Sequence, residues 1–232
     1  MKVTDKSYAV LTGDLVKSSR LTAAMSKTAM DRLKKLAIEF GEIYPGSLIG
    51  RMDTFRHDSW QVLLDHPALA FRAAVFLRSA LKMESDADTK YDTRVSIGVG
   101  GVELVSKRRI SDSRGDAFVY SGKGLDVMAN QRLALINGED SSVLWRMLKH
   151  GVIPLLDGIV SDWTPPEARA VYGSLKGWTQ EETAGSWPPR SDTGKRPTRQ
   201  AVGDSLLRAH WGEVDSALHR IESEVTQALG LA

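Results

Sequence analysis

Hydrophobic periodicity changes character once along this chain, after Asn137-Gly138, and that change constrains the fold more than any single motif. Before it, short runs of β-forming residues alternate with helical stripes; after it, only helical spacing remains. Residues 7–13 read as a buried strand. Residues 22–43 read as a helix, because Ala29, Leu33, Leu36, Phe40 and Ile43 recur on one face. Thr22 is its expected N-cap and Pro45-Gly46 its stop. Two strands are expected over 47–54 and 59–65, the second alternating at Trp60, Val62 and Leu64. His66-Pro67 opens a helix over 67–83, and the run Thr93–Leu104 reads as a Val/Ile-rich strand with a Gly100-Gly101 pair suited to close backbone approach. A polar loop over 105–114 leads to a helix over 116–136.

The order β-α-β-β-α-β-α is the ferredoxin-like split arrangement, an α+β fold in which an antiparallel sheet carries helices on one face. Beyond residue 138 the expectation is a long apolar helix over 141–163, broken or kinked at Pro154, and a short helix over 165–176. Thr179 and Glu182 then form a capping box, and one long helix runs over 198–229. The expected organisation is an α+β domain over 1–138, a linker helix over 139–163 and an all-α unit over 164–232.

The chain has 232 residues, 42% of them hydrophobic and 26% charged, which suits a water-soluble folded protein. A net charge of +2 confines any nucleic-acid surface to a local patch. The absence of cysteine excludes disulfides, thiolate metal sites and cysteine nucleophiles, and the five histidines show no ligand spacing. No stretch approaches the ~18 uncharged apolar residues of a membrane span, so the expectation is a cytoplasmic protein with no membrane partner.

The first candidate site is Gly13-Asp14, where an apolar strand ends and a helical pattern follows. A carboxylate there can hold a hard cation, and the backbone N–H groups of Leu15, Val16, Lys17 and Ser18 can cradle phosphate. The plain alternative is that Asp14 and Asp58 are turn residues. The segment Thr12–Leu21 resembles the opening of class III nucleotidyl cyclase domains, and so do His57–Leu64, Ala68–Ala74, Arg94–Gly101 and Gly115–Phe118. That resemblance, over roughly 7–135, implies that Asp14 and Asp58 hold Mg2+ or Mn2+ against a purine nucleotide. It places Asp112 at the purine-selecting position. It also puts Val119 where cyclases carry an Asn, Lys123 where they carry the transition-state Arg, and Thr54 where they carry a purine-reading Lys. Lysine is a poor substitute for a bidentate arginine, and losing one such group costs about 10²-fold or more in rate. The expectation is therefore weak cyclase activity or none, in a domain that retains nucleotide or metal binding; an active class III-like cyclase or other nucleotide-processing enzyme is the competing expectation.

The second candidate site lies in the helical half. Thr179–Ala184 resembles the first helix of a helix-turn-helix unit, with Trp163–Val171 as the support helix and Thr198–Val202 opening the recognition helix. That resemblance turns Ala201 and Val202 inward. It implies DNA contacts from Thr179, Gln180, Thr198, Arg199, Gln200 and Ser205, with Arg190, Lys195 and Arg196 reaching phosphate from an unusually long loop over 185–197. Between 188 and 210 basic residues outnumber acidic ones five to two, and beyond it the helix turns acidic. The same charges also fit a plain solvated surface or an interaction module without DNA.

Leu207, Trp211, Val214, Leu218, Ile221 and Val225 form a 4-3 seam suited either to a coiled-coil dimer or to packing on the 141–163 helix, the latter favoured. With its cyclase-like half, the Trp178-Thr179…Ala184 segment and Arg208-Ala209-His210-Trp211, the chain resembles the bacterial SatD family. That resemblance implies a cytoplasmic regulatory protein, homodimeric like many helix-turn-helix readers, and supplies no established catalytic residues.

Overall fold

The computed structural model describes residues 6–106, 108–138, 142–189 and 194–231. Five strands form one sheet in the order β2-β3-β1-β4-β5: β1 (Tyr8–Leu15), β2 (Leu48–Phe55), β3 (Ser59–Leu64), β4 (Thr93–Gly100) and β5 (Leu133–Asn137). The first four pair antiparallel in the ferredoxin-like order, and β5 adds to β4 in parallel. Between β1 and β2 runs α1 (Ala23–Ile43), whose N-cap Thr22 accepts from the Met25 N–H as expected. Between β3 and β4 runs α2 (Ala70–Lys82).

Two expectations for the sheet half are corrected. The helix expected over 116–136 is α3 (Asp116–Val127), and the chain then turns into β5. Asn130 and the alternating burial of Leu133-Ala-Leu-Ile-Asn are the local signals for that strand. The helices also do not share one face. The helices α1 and α2 cover the Leu11, Trp60, Val62, Ile97 side, while α3 lies on the opposite side with Val10 and Leu63. A Cβ at Gly98 would stand 2.2 Å from the Ala117 carbonyl oxygen, and one at Gly124 2.2 Å from Ser96 Oγ. The small residues Ser96, Gly98 and Gly100, alternating along β4, therefore make the bed on which α3 sits.

The helical half comprises α4 (Val143–Met147), a π-helical turn (Leu148–Val152), α5 (Ile153–Asp162), α6 (Pro165–Leu175), α7 (Gln180–Ser186), α8 (Arg199–Arg208) and α9 (Trp211–Ala228). The π turn directly precedes Pro154, which has no N–H to give and whose ring crowds the preceding turn. The single helix expected over 198–229 is two helices, broken at His210, which takes a left-handed φ of 52°. Trp163 Nε1 donates to the Ala209 carbonyl at 2.9 Å, satisfying a group that the break frees from the helical ladder.

The break decides what the 4-3 seam does. Val214, Leu218, Ile221 and Val225 are buried in the main core, whereas Leu207 on α8 is 77% exposed. The seam packs within the chain as favoured, but on the Pro67–Leu69 turn and α2 rather than on the 141–163 segment. Helix α2 is consequently buried along its whole length, charges included. Arg72 reaches Glu222 at 2.5 Å and Asp215 at 3.1 Å on α9, and Arg78 reaches Asp157 at 2.8 Å on α5. One hydrophobic core runs from the sheet through Trp145, Leu156 and Val160 to α6 and α9, so the segment expected as a linker is part of that core.

Candidate functional site

The end of β1 brings together Asp14, Asp58 and Ser18, three of the polar groups singled out in the sequence. Asp14 lies opposite Arg94 in the β1–β4 register and opposite Ser59 in the β1–β3 register. Arg94 Nε donates to Asp14 Oδ1 at 2.8 Å and Nη2 to Oδ2 at 2.5 Å, a bidentate pair that engages both carboxylate oxygens. The hydrogen bond to Asp14 raises the Arg94 pKa, with Asp58 and Asp126 adding to the attraction. Asp58 in turn accepts from Ser18 Oγ at 2.6 Å and Ser59 Oγ at 3.3 Å.

The backbone groups expected to cradle phosphate are partly committed. The Leu15 N–H donates to the Asp58 carbonyl at 3.0 Å and the Val16 N–H to that of Asp92 at 2.9 Å. Lys17, at φ 53°, and Ser18 begin a short 3-10 turn outside the sheet. Gly13 has a packing reason of its own: a Cβ there would stand 2.4 Å from the Trp60 ring, whose Nε1 donates to Thr93 at 2.9 Å.

These residues do not fit a divalent cation as they stand. A cation would have to displace Arg94 from Asp14, and among the described residues no group of three or more His, Asp or Glu converges as ligands. Asp112 is exposed in a loop tied to the β2 edge by Asp53, which accepts from Arg109 Nε at 3.1 Å and from the Ser111 hydroxyl. Burial works to raise the Asp53 carboxyl, but the hydrogen bonds from Ser111 and Arg109 hold it below the usual carboxylate range. Lys123 and Val119 are exposed on α3. Beneath that helix, Gln61, Thr12 and Ser121 form a hydrogen-bonded chain at 2.8 Å per link. The sequence reading missed Arg94 as the partner of Asp14; the signal was a charged residue on the Ser96 side of an otherwise apolar strand.

The helical half assembles α6, α7 and α8 around a small core of Ala170, Ala184, Trp187 and Val202. Gly173 lets α7 approach closely, since a Cβ there would stand 2.4 Å from Thr183 Oγ1. Thr179 caps α7 in the expected capping box: its Oγ1 accepts from the Glu182 N–H at 3.2 Å, and its own N–H donates to Glu182 Oε2 at 2.7 Å. Gln180 lies against Gly203 of α8. Thr198 caps α8 by accepting from the Ala201 N–H at 3.3 Å. Val202 is fully buried, as expected, and Arg199 and Gln200 face solvent.

Two expected contacts are corrected. Ser205 is buried, because it falls three residues after Val202 on the inward stripe of α8; its Oγ donates to the Ala201 carbonyl at 2.8 Å. Arg196 does not extend as an arm: its Nη1 donates to the Gly185 carbonyl at 2.8 Å, tying the loop to the C-terminal end of α7. Lys195 is exposed, and Arg190 lies outside the described residues.

Neither a protein-family model nor a curated protein matches the sequence. Among solved structures, the chain is similar to a bacterial light-regulated adenylyl cyclase, at 16% identity and a TM-score of 0.42, covering 56% of this chain and 74% of the other. It is also similar to the catalytic core of a rhodopsin-guanylyl cyclase with converted specificity, in complex with ATPalphaS, at 20% identity and a TM-score of 0.38 over 53% and 72% of the chains. A third is the GGEEF domain of a diguanylate cyclase from Vibrio cholerae, at 12% identity and a TM-score of 0.38 over 57% and 83%.

Proposed function

We propose that this chain is a DNA-binding regulator of SatD-like plan, in which the first turn of α8 enters a groove and the cyclase-like half is a platform without turnover. The observation that carries the reading is the exposure of Arg199 and Gln200 on a helix whose opposite stripe, Val202 and Ser205, is buried against α6 and α7. Arginine and glutamine at a helix N-terminus read guanine and adenine edges, and Thr179 and Lys195 are exposed for phosphate contact. Asp204 and Glu213 follow on the same outer surface, which confines the footprint to the first turn of α8 and the loop before it.

The bidentate Arg94–Asp14 pair supports the non-catalytic half of the reading, since the carboxylate expected to serve chemistry is already neutralised. The α9 seam is spent inside the chain, so a homodimer would have to use another surface and would set its two α8 helices about 34 Å apart, one turn of DNA.

Fluorescence anisotropy with DNA from the gene's own promoter tests the proposal. Binding should weaken as salt rises, and Arg199→Ala should cost about 1–3 kcal/mol and relax base preference. Salt-insensitive or absent binding, or an Arg199→Ala protein that binds like the parent, would sink it. Turnover of ATP or GTP with Mn2+, lost on Asp14→Ala, would establish the competing enzymatic reading.

A further inference from the structure

A groove of about 800 Å3 opens between the C-terminal end of α2, the first turn of α6 and the loop leading into α8. That size is within the usual range for small-molecule sites, about 300–1,000 Å3. Pro165, Pro166, Trp187, Pro188, Pro189 and Pro197 line it. Proline has a fixed φ and no N–H, so this wall is apolar, stiff and offers few donors of its own. The N-terminal turns of α6 and α8 both border the groove, and helix N-termini favour negative charge.

Three guanidinium groups line the same space, those of Arg169, Arg196 and Arg208, against one carboxylate, Asp204. Arg208 is compensated by Glu167 at 3.2 Å. Arg196 donates to backbone carbonyls. Arg169 is the odd one out. It is half-buried and donates from Nη2 to the Met83 carbonyl at 2.7 Å, yet among the described residues no carboxylate lies within 4.0 Å of it. Burial lowers its pKa, opposed by the longer-range attraction of Glu84. A partly buried cation without a counter-ion is costly, and an anion in the groove would relieve that cost. Beside it, Trp187 is 6% exposed, and its Nε1–H, sealed from solvent, has no hydrogen-bond acceptor among the described residues.

We infer that this groove binds a small organic anion, a carboxylate or phosphate borne on an apolar body, with the charged end at Arg169 and Arg196 and the body against the Trp187–Pro189 wall. The occupant touches α2 on one side and α8 on the other, so it bridges the sheet half and the helical half. The inference is independent of DNA binding, and its test contains no DNA.

The test titrates the full, 15N-labelled chain with phenyl phosphate, benzoate and inorganic phosphate, following the indole N–H resonance of Trp187, assigned with Trp187→Phe. Phenyl phosphate or benzoate should shift that resonance saturably, and inorganic phosphate should bind about tenfold more weakly for lack of apolar contact. Arg169→Gln and Arg196→Gln should each weaken binding about tenfold, the loss of one charge-assisted contact. Circular dichroism checks that the variants fold, and Arg196→Gln decides alone if Arg169→Gln does not. The inference is overturned if neither aryl anion moves the resonance, if the folded variants bind like the parent, or if inorganic phosphate binds as tightly as phenyl phosphate.

Discussion

Arg94 grips both carboxylate oxygens of Asp14 across two neighbouring antiparallel strands, at 2.8 and 2.5 Å. The pair closes the strand end that the sequence marks as the place for chemistry. Removing Arg94 alone leaves a partly buried carboxylate without its counter-ion. Arg94→Ala is therefore expected to lower unfolding free energy by about 1–3 kcal/mol, and the Asp14→Ala, Arg94→Ala double variant to recover part of that loss. Urea unfolding of the full cycle measures it; additive losses would mean that the pair is not coupled.

A second ionic cluster sits deeper. Arg78 donates to Asp92 at 3.1 and 3.0 Å and to Asp157 at 2.8 Å, and Arg132 reaches Asp92 at 3.0 Å. Arg78→Ala removes the buried cation shared by Asp92 and Asp157, leaving Asp92 with Arg132 and Asp157 with the Arg132 N–H and Ser161, and should cost about 3 kcal/mol, read as a fall in urea midpoint. The pH dependence has a definite sign. Burial works to raise the Asp92 carboxyl, but the charge and hydrogen bonds of Arg78 override it and hold the group below the usual value. A depressed carboxyl stabilises the fold above its unfolded-state pKa of about 3.9 and ceases to do so as pH falls through the folded value. Stability should decline progressively below about pH 5 and be flat with respect to this group above it.

Arg72 pins α9 to α2 through Glu222 and Asp215. Its guanidinium is held charged, since the bonds and charge of Glu222 outweigh the desolvation that acts against it. Arg72→Ala should loosen α9 while the sheet stays intact. Hydrogen exchange would then speed up over 211–228 and remain slow in β1 and β4; uniform acceleration would show that the helix and sheet unfold as one unit.

The contact between α3 and β4 depends on Gly98 and Gly124. At Gly98 an added methyl would meet the Ala117 carbonyl oxygen at 2.2 Å and the Ser121 nitrogen at 2.4 Å, both backbone atoms that cannot rotate away. Gly98→Ala should cost about 1–3 kcal/mol by thermal or urea unfolding. At Gly122, where nothing stands within 4 Å, the same change should be neutral or slightly stabilising through helix propensity.

Much of the fold was legible because its signals are local. The stripe Ala29–Leu33–Leu36–Phe40 and the cap at Thr22 delimit α1 within a few residues, and Thr179 with Glu182 starts α7 where the capping box says it should. The alternation at Trp60, Val62 and Leu64 gives β3 and its core-facing side. The strand β5 was hidden because a five-residue run after a helical stripe reads as its continuation. The break at His210 was hidden because Arg-Ala-His-Trp carries neither Gly nor Pro.

Except for β5, the amino-acid sequence alone determined which segments are helical or extended, where most of them stop, and that Asp14 ends a buried strand, since caps, turns and periodicity act over a few residues. Only the tertiary structure decided what those segments face: that Arg94, 80 residues away in sequence, takes both oxygens of Asp14, that Ser205 turns inward, and that α9 is spent on α2. Pairing register and helix docking are settled by the summed burial of residues far apart along the chain, and no local pattern encodes that sum.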